Sequence, residues 1–366
     1  MSRLFSPIRI GPVSVRNRLW VSPMCQYSSE AMDGRVCPWH FAHYGALAQG
    51  GTGLVMLEAT AVAPEGRITP WDLGLWDDSQ IAGLAQIARF IKSQGALAAI
   101  QLGHSGRKGS TERMWEGGAH VPPADGGYQT YAPSPVAFAG LPRPLELTRE
   151  QIAELVRAFA AAAGRAADAG FDVIELHAAH GYLLHQFLSP LANHRLDQYG
   201  GSLENRCRLL LAAVAAARTA ISPERALAIR VSATDWAPGG WDLDQCVELA
   251  GWAKDAGLDH IDVSTGGLVA DAKVPVEPGY QAPFAAAIRR RTGLSANTVG
   301  VIETAAQAEE LIETGAADAV MLGRPFLRDP HTPVKWATEL GLEPADWCPP
   351  QYSTAGWRRY HAPNQA

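Results

Sequence analysis

Three side chains capable of acid–base or metal chemistry lie close together in the stretch FDVIELHAAHGYLLHQFLSP (171–190). His177, His180 and Tyr182 follow a short apolar run that is interrupted only by Glu175. Two histidines three residues apart could bind a metal ion, although a zinc site needs a third protein ligand. They could also donate hydrogen bonds to a substrate oxygen while the tyrosine serves as an acid. The pattern indicates a polar site where a buried strand ends.

Further polar residues stand at the ends of other apolar, β-prone runs. The carboxyl ends of the strands carry the active site in a parallel β/α barrel, so these positions are candidates for the same site. They are Ser22, Pro23, Met24, Cys25, Gln26 and Tyr27; Glu58, Ala59 and Thr60; Gln101 and His104; Arg230; and Gly323 with Arg324.

Glu175 and Arg230 each interrupt an apolar strand. Side chains alternate along a strand, so both residues can point into a barrel while their neighbours face the surrounding helices. A buried arginine is costly unless an anionic group compensates it. The partner is either Glu175, in an internal ion pair, or a bound cofactor.

Cys25 follows Pro23-Met24 at the end of a predicted strand. A nucleophilic cysteine usually needs a nearby base or a helix N-terminus, and neither is evident locally. The alternatives are an inert thiol and a contact with a redox cofactor. The chain has five cysteines at wide spacing, which indicates neither a disulfide framework nor a metal cluster.

The elements that position these residues alternate between short strands and longer amphipathic helices. Alternating β and α segments with short connections favour a parallel sheet, and eight units favour a closed (β/α)8 TIM barrel, an α/β fold. An open doubly wound sheet is the rival, but no G-x-G-x-x-G follows the first strand. Strands are predicted at 18–24, 53–60, 96–104, 171–178, 227–233, 260–266, 296–302 and 319–325, and helices near 39–50, 78–94, 149–169, 203–221, 243–256, 282–292, 304–314 and 333–340.

One connection is much longer than the others. Residues 105–146 follow the third predicted strand and are rich in glycine and proline, with aromatic residues at Trp115 and Tyr128. Loops of this length in a compact domain are usually functional or disordered. We expect a lid over the mouth of a single barrel domain at 1–340, followed by a C-terminal tail at 341–366.

Composition excludes several classes of protein. The 366 residues carry a net charge of −6, which gives no electrostatic basis for binding nucleic acid. The chain contains no apolar run long enough to cross a membrane, and its first residues lack the apolar core of a signal peptide. We therefore expect a cytoplasmic protein with small-molecule partners.

The residues at these positions, taken together, resemble the old yellow enzyme family of flavin-dependent ene-reductases. The similarity is greatest to the subgroup with a cysteine after the first strand, which includes xenobiotic reductase A. It runs through nearly the whole chain. The segments that carry it are NRLWVSPMCQYSS, EATAVAPEGRIT, IQLGHSGRKGS, FDVIELHAAHGYLLHQFLSPLANHRLDQYGGSLENR and GRPFLRDP.

The resemblance implies non-covalent FMN at the mouth of the barrel and no metal. Arg230 would face the electron-rich N1/C2-oxygen end of the flavin ring, and Cys25 would touch the ring and tune its potential. Gly323 and Arg324, with Gly300, would hold the phosphate, as loops after the last two barrel strands commonly do. The residues implied to bind FMN are Ser22, Pro23, Met24, Cys25, Ala59, Gln101, Arg230, Gly300, Gly323 and Arg324.

The resemblance also implies a reaction. NADPH or NADH reduces the flavin, and flavin N5 then delivers hydride to the β-carbon of an α,β-unsaturated carbonyl compound. His177 and His180 would bind the carbonyl oxygen, Tyr182 would protonate the α-carbon, and Tyr27 would help to bind the substrate. Relatives are expected to have alanines beside His104 and an arginine near position 355, whereas this chain has Gly103, Ser105 and Ala355, which bears on substrate preference.

Three other functions are compatible with parts of the sequence. A zinc-dependent barrel hydrolase would use His177 and His180 as ligands, but it leaves Arg230 and Gln101 without a role. A larger dienoyl-CoA reductase is expected to carry a cysteine-rich cluster after the barrel. A flavin-storage protein has no need for Tyr182.

The C-terminal segment QYSTAGWRRYH is rich in aromatic and arginine residues, which are enriched at interfaces. We expect this tail to pack between subunits of a homodimer or homotetramer. Trp357 would then lie near the flavin mouth of the neighbouring subunit and help to bind the substrate. The alternative is a tail that folds back on its own barrel.

Overall fold

A computed structural model describes residues 2–352, 354 and 355 of the protein. Eight parallel strands form a closed barrel in which each strand pairs with the next along the chain. The last strand closes on the first, with Val320 opposite Leu19 and Leu322 opposite Val21. The strands are β1 Leu19–Val21, β2 Leu54–Ala61, β3 Leu97–Gly103, β4 Val173–Ala178, β5 Ala226–Ser232, β6 His260–Ser264, β7 Ser295–Thr298 and β8 Ala319–Leu322. The predicted TIM barrel is confirmed, and the open-sheet alternative is excluded.

Helices follow the strands and surround the barrel. Several begin at a side chain that accepts a hydrogen bond from the first turn, such as Thr148 before α3 and Ser202 before α5. The helices are α1 Pro38–Gln49, α2 Ile81–Ser93, α3 Arg149–Asp168, α4 Leu183–Leu188, α5 Leu203–Ala220, α6 Leu243–Asp255, α7 Ala282–Thr292, α8 Ala305–Glu313, α9 Arg324–Arg328 and α10 Thr332–Glu339. None of them, in the part of the chain described, is long and apolar enough to cross a membrane.

The alternation expected along the strands is present. Ile174 and Leu176 of β4 pack in the large core between the barrel and the helices. Val173 of β4 and Ala228 of β5 belong instead to a second core inside the barrel. Glu175 and Arg230 share the inward face with these two residues. The polar residues singled out in the sequence are therefore inside the barrel.

A short N-terminal hairpin, Ile8–Ile10 paired with Val13–Val15, was not predicted. Its Ile10 and Val15 are buried in the inner core with Trp20, at the end of the barrel where the strands begin. Each strand has only three residues, too few for an alternating pattern to stand out from the sequence. The hairpin closes the floor and leaves the opposite end of the barrel as the mouth.

The long connection at 105–146 has local structure of its own. It contains three single-turn 3₁₀ helices and a two-residue parallel pairing of Tyr131–Ala132 with Leu145–Glu146. The Tyr128 hydroxyl donates to the carbonyl of Arg67, and the ring of Trp115 lies 6.0 Å from that of Tyr27. The connection thus contacts the loops at the mouth of the barrel.

Candidate active site

His177, His180 and Tyr182 are brought together by the turn that follows β4. The ring of His177 lies 5.2 Å from that of His180 and 5.0 Å from that of Tyr182, centroid to centroid. His180 adopts a left-handed backbone with φ of 58°, which is uncommon for a residue with a side chain. Gly181 continues the turn at φ 73°, and a Cβ there would lie 2.2 Å from the carbonyl oxygen of Gly267. The tight turn requires glycine at this position.

The turn is held from behind by a buried histidine–aspartate pair. The backbone N–H of Gly181 donates to Nδ1 of His185, and Nε2 of His185 lies 2.9 Å from the Asp235 carboxylate. The pair therefore places the His185 ring proton on Nε2 and its lone pair toward the turn. His185 supports the site and does not point with His177 and His180 at a common metal ion.

Their surroundings favour the neutral form of both His177 and His180. Burial lowers the pKa of each ring well below its usual value, and the positive charge of Arg230 acts in the same direction. Nδ1 of His177 accepts a hydrogen bond from the backbone of Ala179 at 3.4 Å, so its proton is on Nε2. Nε2 of His180 lies 2.8 Å from the Ser264 hydroxyl. Each ring thus has one nitrogen engaged by the protein and one with no hydrogen-bond partner among the described residues.

Lys108 is a residue of this site that the sequence analysis missed. Its ammonium group donates to the carbonyls of His180 at 2.9 Å and Gly267 at 3.0 Å and lies 5.2 Å from the centre of the Tyr182 ring. Burial, with the nearby charge of Arg107, lowers the pKa of Lys108 to about 8. The sequence analysis quoted the segment IQLGHSGRKGS, which contains Lys108. It assigned 105–146 to a lid and gave this lysine no role in the site.

Tyr182 remains a phenol at neutral pH because burial raises the pKa of its hydroxyl. That hydroxyl forms no hydrogen bond with another residue of the described chain, and a small pocket beside it is lined by Ala59, His104 and His177. The Tyr182 side chain therefore retains a proton that it can transfer to a ligand.

The segment after β1 runs along the mouth and is anchored by Glu58. The backbone N–H of Gln26 donates to the Glu58 carboxylate at 2.7 Å, and Tyr44 donates to its other oxygen at 2.9 Å. A register shift between Leu57 and Ala59 frees Glu58 from strand pairing. Tyr27, which follows Gln26, has a left-handed backbone with φ of 50°. The sequence analysis identified Glu58 at a strand end but did not predict that it anchors the segment after β1.

Cys25 lies half-buried in the same segment. Burial raises the pKa of its thiol, and the nearby Asp72 and Glu58 carboxylates act in the same direction. The side chain is therefore a neutral thiol, which does not suit a nucleophile. A neutral, polarisable sulfur suits contact with an aromatic ring.

Inside the barrel, Arg230 pairs with Asp262 of β6, a partner that was not predicted. Nε of Arg230 lies 3.0 Å from Oδ2 of Asp262, and Glu175 accepts a hydrogen bond from Gln101 at 2.7 Å. Burial raises the pKa of Glu175 to about 8, and the Asp262 charge adds to the effect. The polar residues His260, Asp262 and Ser264 alternate along β6, as the inward-facing residues do along β5. This alternation could have indicated that Asp262 faces Arg230.

A second group of predicted residues surrounds an open cavity of about 250 Å³ at the ends of β7 and β8. Met24, Gly300, Gly323 and Arg324 line it together. The Arg324 side chain is exposed and has no ion pair with any residue in the described ranges. At Gly300 a Cβ would lie 2.6 Å from the Gln281 amide and 2.9 Å from the Tyr280 ring. A free guanidinium beside bare backbone suits a phosphate group.

These residues fit FMN. The phosphate would lie against Arg324, Gly300 and Gly323, and the ring would lie over the barrel interior. There the terminal nitrogens of Arg230 form no hydrogen bond within the described chain. No group of three or more His, Cys, Asp or Glu residues suited to a metal occurs among the described residues. Fold and site together define a flavin-binding barrel oxidoreductase.

The chain belongs to the NADH:flavin oxidoreductase / NADH oxidase family, the old yellow enzyme family, whose profile matches residues 3–343. The NADPH dehydrogenase of Halalkalibacterium halodurans is 44% identical over 96% of this chain and 98% of its own length. Morphinone reductase has a TM-score of 0.77 at 29% identity, covering 96% of this chain and 92% of that structure. An old yellow enzyme homologue from Zymomonas mobilis has a TM-score of 0.77 at 28% identity, covering 93% and 94%.

The protein is accordingly an NAD(P)H-dependent oxidoreductase with FMN as its cofactor. Its assignment to the subgroup of xenobiotic reductase A stays a prediction. Trp357, predicted to bind substrate, lies outside the described residues, as do 353 and 356–366 of the tail predicted to form a subunit interface. The described part of that tail packs on its own barrel, with the ring of Trp347 4.9 Å from that of Phe5.

Proposed function

We propose that this oxidoreductase reduces the C=C bond of α,β-unsaturated carbonyl compounds or related activated alkenes. The observation that carries the proposal is the pair of neutral histidines with one unpartnered ring nitrogen each, 5.2 Å apart between ring centres and next to a protonated tyrosine. Two such nitrogens suit one oxygen that gains negative charge during reaction.

Held by Arg230, Gln101 and Arg324, FMN would supply hydride to the β-carbon of the alkene after its reduction by NAD(P)H. His177 and His180 bind the carbonyl oxygen and stabilise the enolate charge that develops on it. Tyr182 transfers its phenolic proton to the α-carbon, and Tyr27 borders the bound substrate. Lys108 keeps the turn that carries His180 in place through its two carbonyl contacts.

Within the cofactor site we assign Arg230 and Gln101 to the polar edge of the ring and Cys25 to its face. Ser22, Pro23, Met24 and Ala59 would border the flavin. Gly300, Gly323 and Arg324 would hold its phosphate. NADPH is the reductant named for the curated relative from Halalkalibacterium halodurans, and we propose it over NADH here.

The remaining proposals concern context. We propose a cytoplasmic homodimer or homotetramer in which residues 341–366 pack between subunits, with 1–340 forming the barrel domain. The connection at 105–146 would act as a lid, which its contact between Trp115 and Tyr27 supports. A zinc hydrolase is not favoured, because His185 has both ring nitrogens engaged and cannot be a third ligand, and the described residues contain no group of three suited to a metal.

The test is the visible spectrum combined with a histidine variant. Purified protein should show flavin absorption that NADPH bleaches without oxygen, and it should reduce an enone such as cyclohexenone. His177→Ala should keep FMN and lose about 10²- to 10³-fold in enone turnover, the usual effect of removing one oxyanion donor. Loss of FMN from the variant, or enone reduction at the wild-type rate, would refute the proposal.

A further inference from the structure

A chain of hydrogen bonds connects His180 to the far side of the mouth. Nε2 of His180 lies 2.8 Å from the Ser264 hydroxyl, and that hydroxyl lies 3.1 Å from Oε1 of Gln281. Thr265 donates to the same Gln281 oxygen at 2.8 Å. The Gln281 amide nitrogen donates to the Val299 carbonyl at 2.7 Å, which fixes the orientation of this amide. Ser264, Thr265 and Gln281 are buried, and His180 is half-buried at the mouth.

The single proton of the Ser264 hydroxyl has two acceptors within reach. If it is directed to Gln281, the serine oxygen accepts from His180, and the histidine proton is on Nε2. If it is directed to His180, Nε2 is the acceptor and the ring proton is on Nδ1. In the second arrangement the Gln281 oxygen keeps the hydrogen bond from Thr265.

Only Nδ1 of His180 is available to a ligand. The backbone N–H donates to Ser232 at 3.0 Å, and the carbonyl accepts from Lys108. Burial keeps the ring neutral, so it carries one proton and not two. His177 presents an N–H at Nε2 in either arrangement, because the backbone N–H of Ala179 donates to its Nδ1. Whether the mouth offers one donor or two therefore depends on the tautomer of His180.

We propose that Ser264 is a positioning residue that sets this tautomer: when an oxyanion occupies the mouth, its hydroxyl donates to Nε2 of His180, so that Nδ1 carries the ring proton and faces the ligand. The proposal rests on the proposed function, which makes His180 a donor to oxygen. No net proton is taken up by the ring, because Nε2 releases one to water as Nδ1 gains one. Without a ligand, Ser264 turns to Gln281.

The test is ¹⁵N NMR of the FMN-bound protein labelled at its histidines, free and with p-hydroxybenzaldehyde, whose phenolate stands in for the enolate. A His180→Asn variant assigns the His180 signals by their disappearance. In the complex, Nδ1 should show the shift of a protonated nitrogen and Nε2 that of a lone pair. A protonated Nε2 in the wild-type complex would overturn the proposal without any reference to a variant.

Ser264→Ala should abolish the Nδ1 preference and weaken phenolate binding roughly three- to tenfold, the effect of one hydrogen bond. Ser264→Thr, which keeps the hydroxyl, should restore both. The matched control is Ser232→Ala, which removes a hydrogen bond to the backbone of His180 and should leave the ring signals unchanged.

The outcomes separate this inference from the proposed function. If His180→Ala and His177→Ala, which both lack a side-chain donor, bind the phenolate as the wild type does, the histidines are not oxygen-binding groups and the proposed function fails. If those variants lose affinity while Ser264→Ala keeps the wild-type tautomer and affinity, the proposed function stands and the role of Ser264 is refuted.

Discussion

Arg230 and Asp262 lie opposite each other on neighbouring strands, and Nε of the arginine is 3.0 Å from Oδ2 of the aspartate. Asn297 donates to the second oxygen of Asp262 at 2.6 Å, so the carboxylate has a defined orientation. The Arg230 charge is thus compensated by the protein before any flavin binds. The barrel can hold a buried guanidinium through its contact with Asp262 and still present its terminal nitrogens to a cofactor.

Replacing Asp262 should expose the cost of that buried charge. Asp262→Asn should lower the free energy of unfolding of the apoprotein by about 3–5 kcal/mol, because Arg230 loses its compensating charge. The measurement is urea unfolding. The control is Asp244→Asn, which breaks an exposed ion pair with Arg291 and should change stability little. Equal losses in the two variants would contradict the assignment of Asp262 as the compensating group.

Tyr182→Phe should separate the two half-reactions. Loss of a general acid typically slows proton transfer about 10²- to 10⁴-fold, so oxidation of the reduced enzyme by an enone should slow. Reduction of the flavin by NADPH needs no such proton and should change much less. Stopped-flow absorbance measures both steps. A uniform loss in both would make Tyr182 a binding residue.

Gly300→Ala should weaken FMN binding. The added Cβ would lie 2.6 Å from the Gln281 amide, and φ of 115° disfavours any side chain, so the cavity that we assign to the phosphate must distort. Gly251→Ala is the matched control, since a Cβ on that helical glycine meets nothing within 4 Å. Flavin release on dilution, followed by fluorescence, should increase for the first variant only. Unchanged retention in Gly300→Ala would remove Gly300 from the cofactor site.

Glu58→Gln should change how stability depends on pH. Burial raises the pKa of Glu58 to about 8 from an ordinary value of 4.5. The fold therefore favours the protonated form, and this contribution to stability is complete below pH 4.5 and lost as the pH rises through 8. Glutamine imitates the protonated acid at every pH. Relative to the wild type, the variant should gain free energy of unfolding between pH 5 and pH 8, whereas a constant difference would argue against the raised pKa.

Deletion of residues 351–366 tests the proposed shared site. The truncated protein should keep its FMN, show a smaller assembly by light scattering, and have a raised KM for enones. If the assembly and the kinetics are both unchanged, the segment folds on its own barrel or serves no role in the site.

The sequence predicted the barrel because its eight strands carry strong apolar runs and its helices are long. Short elements such as the N-terminal hairpin and α4 were missed, since three to six residues give no readable period. The residues of the candidate site were chosen from strand ends and from resemblance, and the fold places those within its described part around one mouth. Their partners were not predicted. Lys108, Asp262 and Ser264 make contacts between distant segments. The alternation along β6 could have placed Asp262 and Ser264 on its inward face, but no local pattern reveals Lys108.

The left-handed backbone at Tyr27 and His180 has a consequence for engineering. Such a conformation costs on the order of 1–3 kcal/mol for a residue with a side chain. Glycine or asparagine would adopt it more readily. Directed evolution for heat resistance alone should therefore enrich glycine at these two positions, and the glycine variants would lack the side chains that we assign to substrate binding. A screen that selects for both stability at high temperature and enone turnover would retain the original residues.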